Sequence, residues 1–265
     1  ITPYATASGA PPEDKKKTGG WGSDPIDLSP LKLADADLTL KAAGIKYEKF
    51  DFGPSNILVT LKSGKLVADL KQTSLFGGAG GATLIADGSG AVASVALKAN
   101  ISALSLKPLM TAAAGFDMVE GKGDIVIDIA GSGANLQGLM NSLAGNGKFA
   151  FDQGAINGVN LTELGNAAKT ALSSKSVSLA AFSKDAKTAF SALNANFAMK
   201  DGVAVMADLK MDAAGFSVSV GGALDIGKQK LQLSLFPEFK DKKQGLNGYG
   251  LPIKLAGGWD GVGLD

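Results

Sequence analysis

The chain has 265 residues and a formal net charge of +1, and all 26 of its basic residues are lysine. Without arginine it lacks the side chain best suited to bidentate phosphate and base-edge contacts, and no dense basic patch stands in for it, so nucleic acid is set aside. Cysteine and histidine are also absent, which removes thiol nucleophiles, the usual zinc sites and the Ser-His and Cys-His pairs of nucleophilic catalysis.

Hydrophobic residues make up 45% of the chain but aromatics only 6%. That balance favours many short, lightly packed strands over one large aromatic core. Residues 1–30, rich in Pro, Gly, Ser and charge, read as a flexible linker, with Lys15-Lys16-Lys17 a polar tether. A β-rich domain is expected over 31–265. No signal-peptide pattern and no long apolar run is visible, and a chain beginning at Ile1 reads as a piece of something longer.

From Leu31 onward the dominant period is two. Ile57, Val59 and Leu61 alternate with other residues, a Ser63-Gly64 turn follows, and Leu66, Ala68 and Leu70 alternate again, which predicts a hairpin. The pattern recurs in Leu84/Ala86, Ala93/Val95/Leu97 and Ile125/Ile127/Ile129. Further on come Phe149/Phe151, Leu193/Ala195/Phe197/Met199, Val203/Val205/Ala207/Leu209, Phe216/Val218/Val220 and Leu231/Leu233/Leu235. About a dozen strands are expected, mostly antiparallel because the connections are too short for crossovers.

About three short amphipathic helices interrupt them. One runs from Pro108 to about Ala114. A second is capped by Asn135, with Leu136, Leu139, Met140 and Leu143 on one face. A third is expected over 162–172, and 173–187 carries mixed signals. Residues 61–82 are loosely echoed by 199–223, each reading strand, Lys-x-Gly turn, strand with Ala-Asp-Leu-Lys, and a glycine-containing return. The echo suggests a sheet grown by adding similar hairpins.

Candidate chemistry is sparse. Gly145-Asn146-Gly147 has part of a dinucleotide-loop spacing, but it follows a predicted helix and enters a strand, the reverse of the order such a loop needs. The glycines of 143–161 are therefore read as turns: Gly145 and Gly147 release the chain from a helix, and Gly154 and Gly158 turn it onward. Asp124 and Asp128 share a strand face roughly 13 Å apart, too far to cooperate as a glycosidase pair. No catalytic residue, metal ligand or cofactor site is assigned, and the chain is expected not to be an enzyme. The apolar strand faces carry the remaining argument. Ile57, Val59, Leu61, Leu66, Leu70, Ile125, Ile127, Ile129, Phe149, Phe151, Phe197, Val205 and Leu233 are candidates to line either a filled core or an open apolar groove. Periodicity alone favours the filled core.

The order of motifs resembles the C-terminal region of the AsmA family of Gram-negative envelope proteins. The resemblance covers about 30–265. It is carried by 58–66 (LVTLKSGKL), 75–78 (LFGG), 121–127 (GKGDIVI), Leu143 through Leu161 (LAGNGKFAFDQGAINGVNL), Asp201-Gly202-Val203, Asp208-Leu209, 222–226 (GALDI), 251–255 (LPIKL) and Gly257-Gly258-Trp259. The family's membrane anchor and long upstream β-region are not in the chain. The resemblance implies a mainly β, elongated and curved sheet, groove-like or sandwich-like, in a protein held in the periplasm by an N-terminal inner-membrane helix. It further implies a non-enzymatic role in outer-membrane assembly or integrity, with phospholipid or another acyl lipid as partner and envelope proteins as further partners. It shifts the weighing of filled core against groove towards the groove.

Overall fold

The computed structural model describes residues 20–47, 49–114, 117–158, 160, 161, 163, 183, 185–240, 252–258 and 261–264. After a 3-10 turn at Ser29–Lys32, the first strands are β1 (Ala36–Ala42), β2 (Ile45–Tyr47), β3 (Phe50–Phe52), β4 (Ser55–Lys62), β5 (Lys65–Leu75), β6 (Gly78–Asp87) and β7 (Ala93–Ser105). Helix α1 (Leu106–Ala114), β8 (Val119–Gly133), α2 (Leu136–Asn141) and β9 (Ala144–Asn157) follow. The chain then runs through β10 (Lys187–Lys200), β11 (Val203–Ala213), β12 (Phe216–Asp225), β13 (Lys230–Phe239), β14 (Ile253–Gly258) and β15 (Gly261–Leu264).

Among the described residues all fifteen strands belong to one antiparallel sheet in the order β1-β4-β5-β6-β7-β8-β9-β10-β11-β12-β13-β14-β15, with β2 and β3 as a side hairpin touching β5. From β4 onward, neighbours in sequence are neighbours in the sheet, most of them through short connections, while residues 158–186 join β9 to β10. Ser63-Gly64, Phe76-Gly77 and Asp201-Gly202 are two-residue turns with both residues at positive φ. That conformation matches strand twist and suits a glycine in second place. Two α-helices occur among the described residues rather than three. Of the third expected helix, over 162–172, only Glu163 is described, and it is helical, with its N–H donating to Asn160 Oδ1 (3.1 Å); the rest of it and most of 173–187 lie outside the described residues.

The echo between 61–82 and 199–223 is structural. β5 and β6 are matched by β11 and β12 in length and at one constant sequence offset. The backbone bond from Gly88 N–H to Gly64 C=O (2.9 Å) is repeated by Ile226 N–H to Gly202 C=O (2.8 Å) at the same offset.

Directly opposed residues share a face, so register divides the side chains cleanly. Leu38 and Leu40 of β1 stand opposite Val59 and Ile57, which stand opposite Ala68 and Leu70. The row passes through Leu84, Leu97 and Ile129 in the middle strands. It ends through Phe197, Met206, Leu233 and Leu255. This apolar inner face is continuous over twelve strands, β1 and β4 to β14. The outer face carries Asp124, Asp128, Lys98 and Lys148.

The inner face is concave. Asn141, beside the start of β9, packs against Gly227 beyond β12; a flat sheet would hold those positions about 14 Å apart. Bulges interrupt β5, β7, β10 and β11 and add local twist. At the strand ends near α1 the concavity is filled. Ile101, Leu104, Leu106, Phe151, Phe190, Met211, Phe216, Val218 and Val220 form the buried core, with Leu109 and Met110 of α1 packed on it. At the opposite ends α2 lies over β8, with Leu139 buried against Gly131 and Gly133, where any side chain would collide with the helix backbone.

The leader differs from expectation. From Gly20 onward it is not a free linker but runs across the α2 ends of the strands. Trp21 Nε1–H donates to the Ile226 carbonyl (2.6 Å), Gln137 N–H to Gly22 C=O (3.1 Å) and Ile26 N–H to Ala134 C=O (2.9 Å). Leu28 sits on Gly88 and Lys32 on Gly64. Sequence periodicity could not have found this segment, because backbone groups make most of its contacts.

Candidate functional site

The inner face is the candidate site, and its residues are placed by strand register alone. Of the sequence-predicted lining residues, Ile57, Val59, Leu61, Leu66, Leu70, Ile125, Ile127, Ile129, Phe149, Phe151, Phe197 and Leu233 all lie on it. Val205 does not. It stands opposite Ala198 and Ala223 on the outer face and is 49% exposed. The cause is the bulge between Met206 and Leu209. An extra residue there inverts the alternation, so Ala204 and Met206 face inward in the first half of β11 and Leu209 and Met211 in the second.

These residues do not share one environment. Phe151 is 1% exposed and belongs to the filled core. Ile57, Val59, Leu61, Leu66, Ile127, Ile129 and Phe197 are only half-buried and lie outside it. On the first strands the face is open. Leu38 and Leu40 are 51% and 48% exposed, and Leu84 also remains exposed. Leu38 and Leu40 are apolar lining residues that sequence reading missed, although their Leu-Thr-Leu alternation was the available signal.

The glycine-rich stretch 143–161 serves the inner face and not a row of turns. Gly145, Gly147 and Gly154 all lie within β9. A side chain on Gly147 would occupy the Phe197 ring, and one on Gly154 the Phe190 ring, so glycine on β9 admits an aromatic ring from β10. Only Gly158, at φ 86°, leaves the strand.

Several charged groups are engaged in holding the sheet. Asp124 accepts from Ala103 N–H (3.0 Å), where a bulge bends β7, and Asp128 pairs with Lys98 at 3.0 Å across strands. Hydrogen bonding from Lys187, with its charge, holds the Glu120 carboxyl below its usual range, and Lys240 does the same for Asp212. At Asp225, burial opposes ionisation but is outweighed by bonds from Lys228. Among the described residues no group of three or more His, Cys, Asp or Glu side chains could hold a metal ion, and no helix is long and apolar enough to cross a membrane.

An apolar concavity on a long meandering sheet, with several carboxylates committed to structure, defines an apolar-faced β-sheet protein. A family model described as the AsmA family matches residues 5–209, and the chain belongs to that family. No curated protein and no solved structure matches it.

Proposed function

We propose that this chain is a non-enzymatic, periplasmic envelope module that binds phospholipid acyl chains along its inner face. In the whole protein, an N-terminal helix would tether it to the inner membrane, and the module would support outer-membrane assembly or integrity. The observation that carries the reading is the open portion of the inner face, where Leu38, Leu40 and Leu84 stay exposed beside half-buried Ile57, Val59 and Leu61. Each methylene moved onto such a surface gains about 0.8 kcal/mol. Partial burial of a chain therefore offsets much of its extraction from a bilayer, and no headgroup chemistry is required. The filled end near α1 favours a second role for that half: a rigid support on which an envelope protein partner docks.

Protein purified from a bacterial envelope and examined by native mass spectrometry should carry phospholipid; consistently ligand-free protein would end this reading. Ile127→Gln supplies the matched test. Ile127 is half-buried and outside the core cluster, so the variant should melt within a few degrees of the parent yet retain little lipid. Unfolding of Ile127→Gln would instead mean that the whole face is packed core.

A further inference from the structure

Residues 20–33 join places that the sheet keeps far apart. Trp21 holds the β12–β13 turn at Ile226, Gly22 and Ile26 hold the approach to α2, Leu28 covers the β6–β7 turn at Gly88, and Lys32 covers the β4–β5 turn at Gly64. Gln137 of α2 extends the same line, its Nε2 donating to Gly227 C=O at 2.8 Å. Together these contacts close the α2 end of the concavity, and over β4–β7 the closure depends on this segment. Its grip is light: Gly22, Ser23, Asp24 and Pro25 are exposed, and only Trp21, Ile26, Leu28 and Leu31 are half-buried. Segments with few buried apolar contacts open at far lower free energy than central strands.

We propose that residues 20–33 are a clasp, latched by Trp21, whose undocking opens the α2 end of the inner face over β4–β7 and is the step through which an acyl chain enters or leaves. The proposal rests on the acyl-binding reading for its ligand but not for its motion. Two measurements keep them apart.

The first is hydrogen exchange on the 265-residue chain. The Ile26 and Gln137 amides, which bond across the clasp, should exchange at least a hundredfold faster than Ile127 and Phe149 in the central strands. Equal protection would make the segment a fixed part of the fold and overturn the clasp, whether or not lipid binds. The second uses the absence of native cysteine. Ile26→Cys with Ala134→Cys places a pair across the 2.9 Å backbone bond, where antiparallel partners lie about 5.5 Å apart at Cα, within disulfide reach. Transfer of pyrene-acyl phosphatidylglycerol from the protein to vesicles should be at least tenfold slower in the oxidised form than in the same protein after reduction. Trp21→Ala should speed it several-fold with the sheet's melting unchanged. Equal transfer by the oxidised and reduced forms would overturn the clasp as a gate. A chain that takes up no pyrene lipid in any form, yet shows fast clasp exchange, would overturn the acyl-binding reading and with it the gating role, leaving only a mobile clasp.

Discussion

Gly147 has a phenyl ring where its side chain would stand, and the Phe197 ring cannot move outward without leaving the apolar face. Gly147→Ala should therefore destabilise by about 1–3 kcal/mol through overpacking, read as a lower denaturant midpoint with an unchanged slope. Phe151 shows the opposite fault when altered. At 1% exposure it fills space that nothing else can take, and Phe151→Ala should cost about 3–5 kcal/mol. The contrast with Ile127, two neighbouring strand positions away on the same face, distinguishes packed core from open lining. Sequence alternation identified both side chains as inward-facing. It could not rank them, because exposure on a concave face depends on what curls over it from strands far along the chain.

At the level of elements, the start of the second helix was legible to the residue, whereas its end was not: Leu143, read as part of its face, lies beyond Asn141. Asn135 Oδ1 accepts from Gly138 N–H at 2.8 Å, and Asn135→Ala should cost about 1 kcal/mol in thermal or chemical melting. Strand existence was equally legible, because period two survives substitution of one apolar residue for another. Register was not. A bulge adds one residue without a strong local signal, and Val205 was consequently assigned to the wrong face. The glycines of β9 misled for a related reason. Read singly they suggest turns, whereas their conformational freedom matters less here than the volume they leave for rings on β10. Residues 20–33 escaped entirely, since composition favours a linker and the binding partners are carbonyls and turn glycines.

For the molecule as a whole, the carboxylates of Glu120, Asp208, Asp212 and Asp225 are held below their ordinary range by hydrogen bonds and nearby lysines. A folded-state pKa lowered in this way adds stability above the unfolded carboxylate value and loses it as pH falls through the folded one. Melting temperature should accordingly change little from pH 7 to about 5 and decline progressively below about 4. A decline beginning above pH 6 would contradict this assignment. The groups lie near the surface, so high salt should shrink the effect.

The bond from Trp21 to Ile226 also bears on how the chain assembles. Most neighbour relations in the sheet path form by closing a hairpin or a short connection, and the longest, between β9 and β10, closes over residues 158–186, but this one joins positions 205 residues apart. Its loop closure costs more entropy than any hairpin of the sheet, a cost that falls once the intervening strands have condensed. Refolding should thus proceed by rapid growth of the meander, followed by a distinct late phase in which the indole reaches its carbonyl. With Trp259→Phe leaving Trp21 as the sole indole, stopped-flow fluorescence should lag behind the circular dichroism signal of the strands. Simultaneous kinetics would mean that the indole docks as the meander forms and not in a later step.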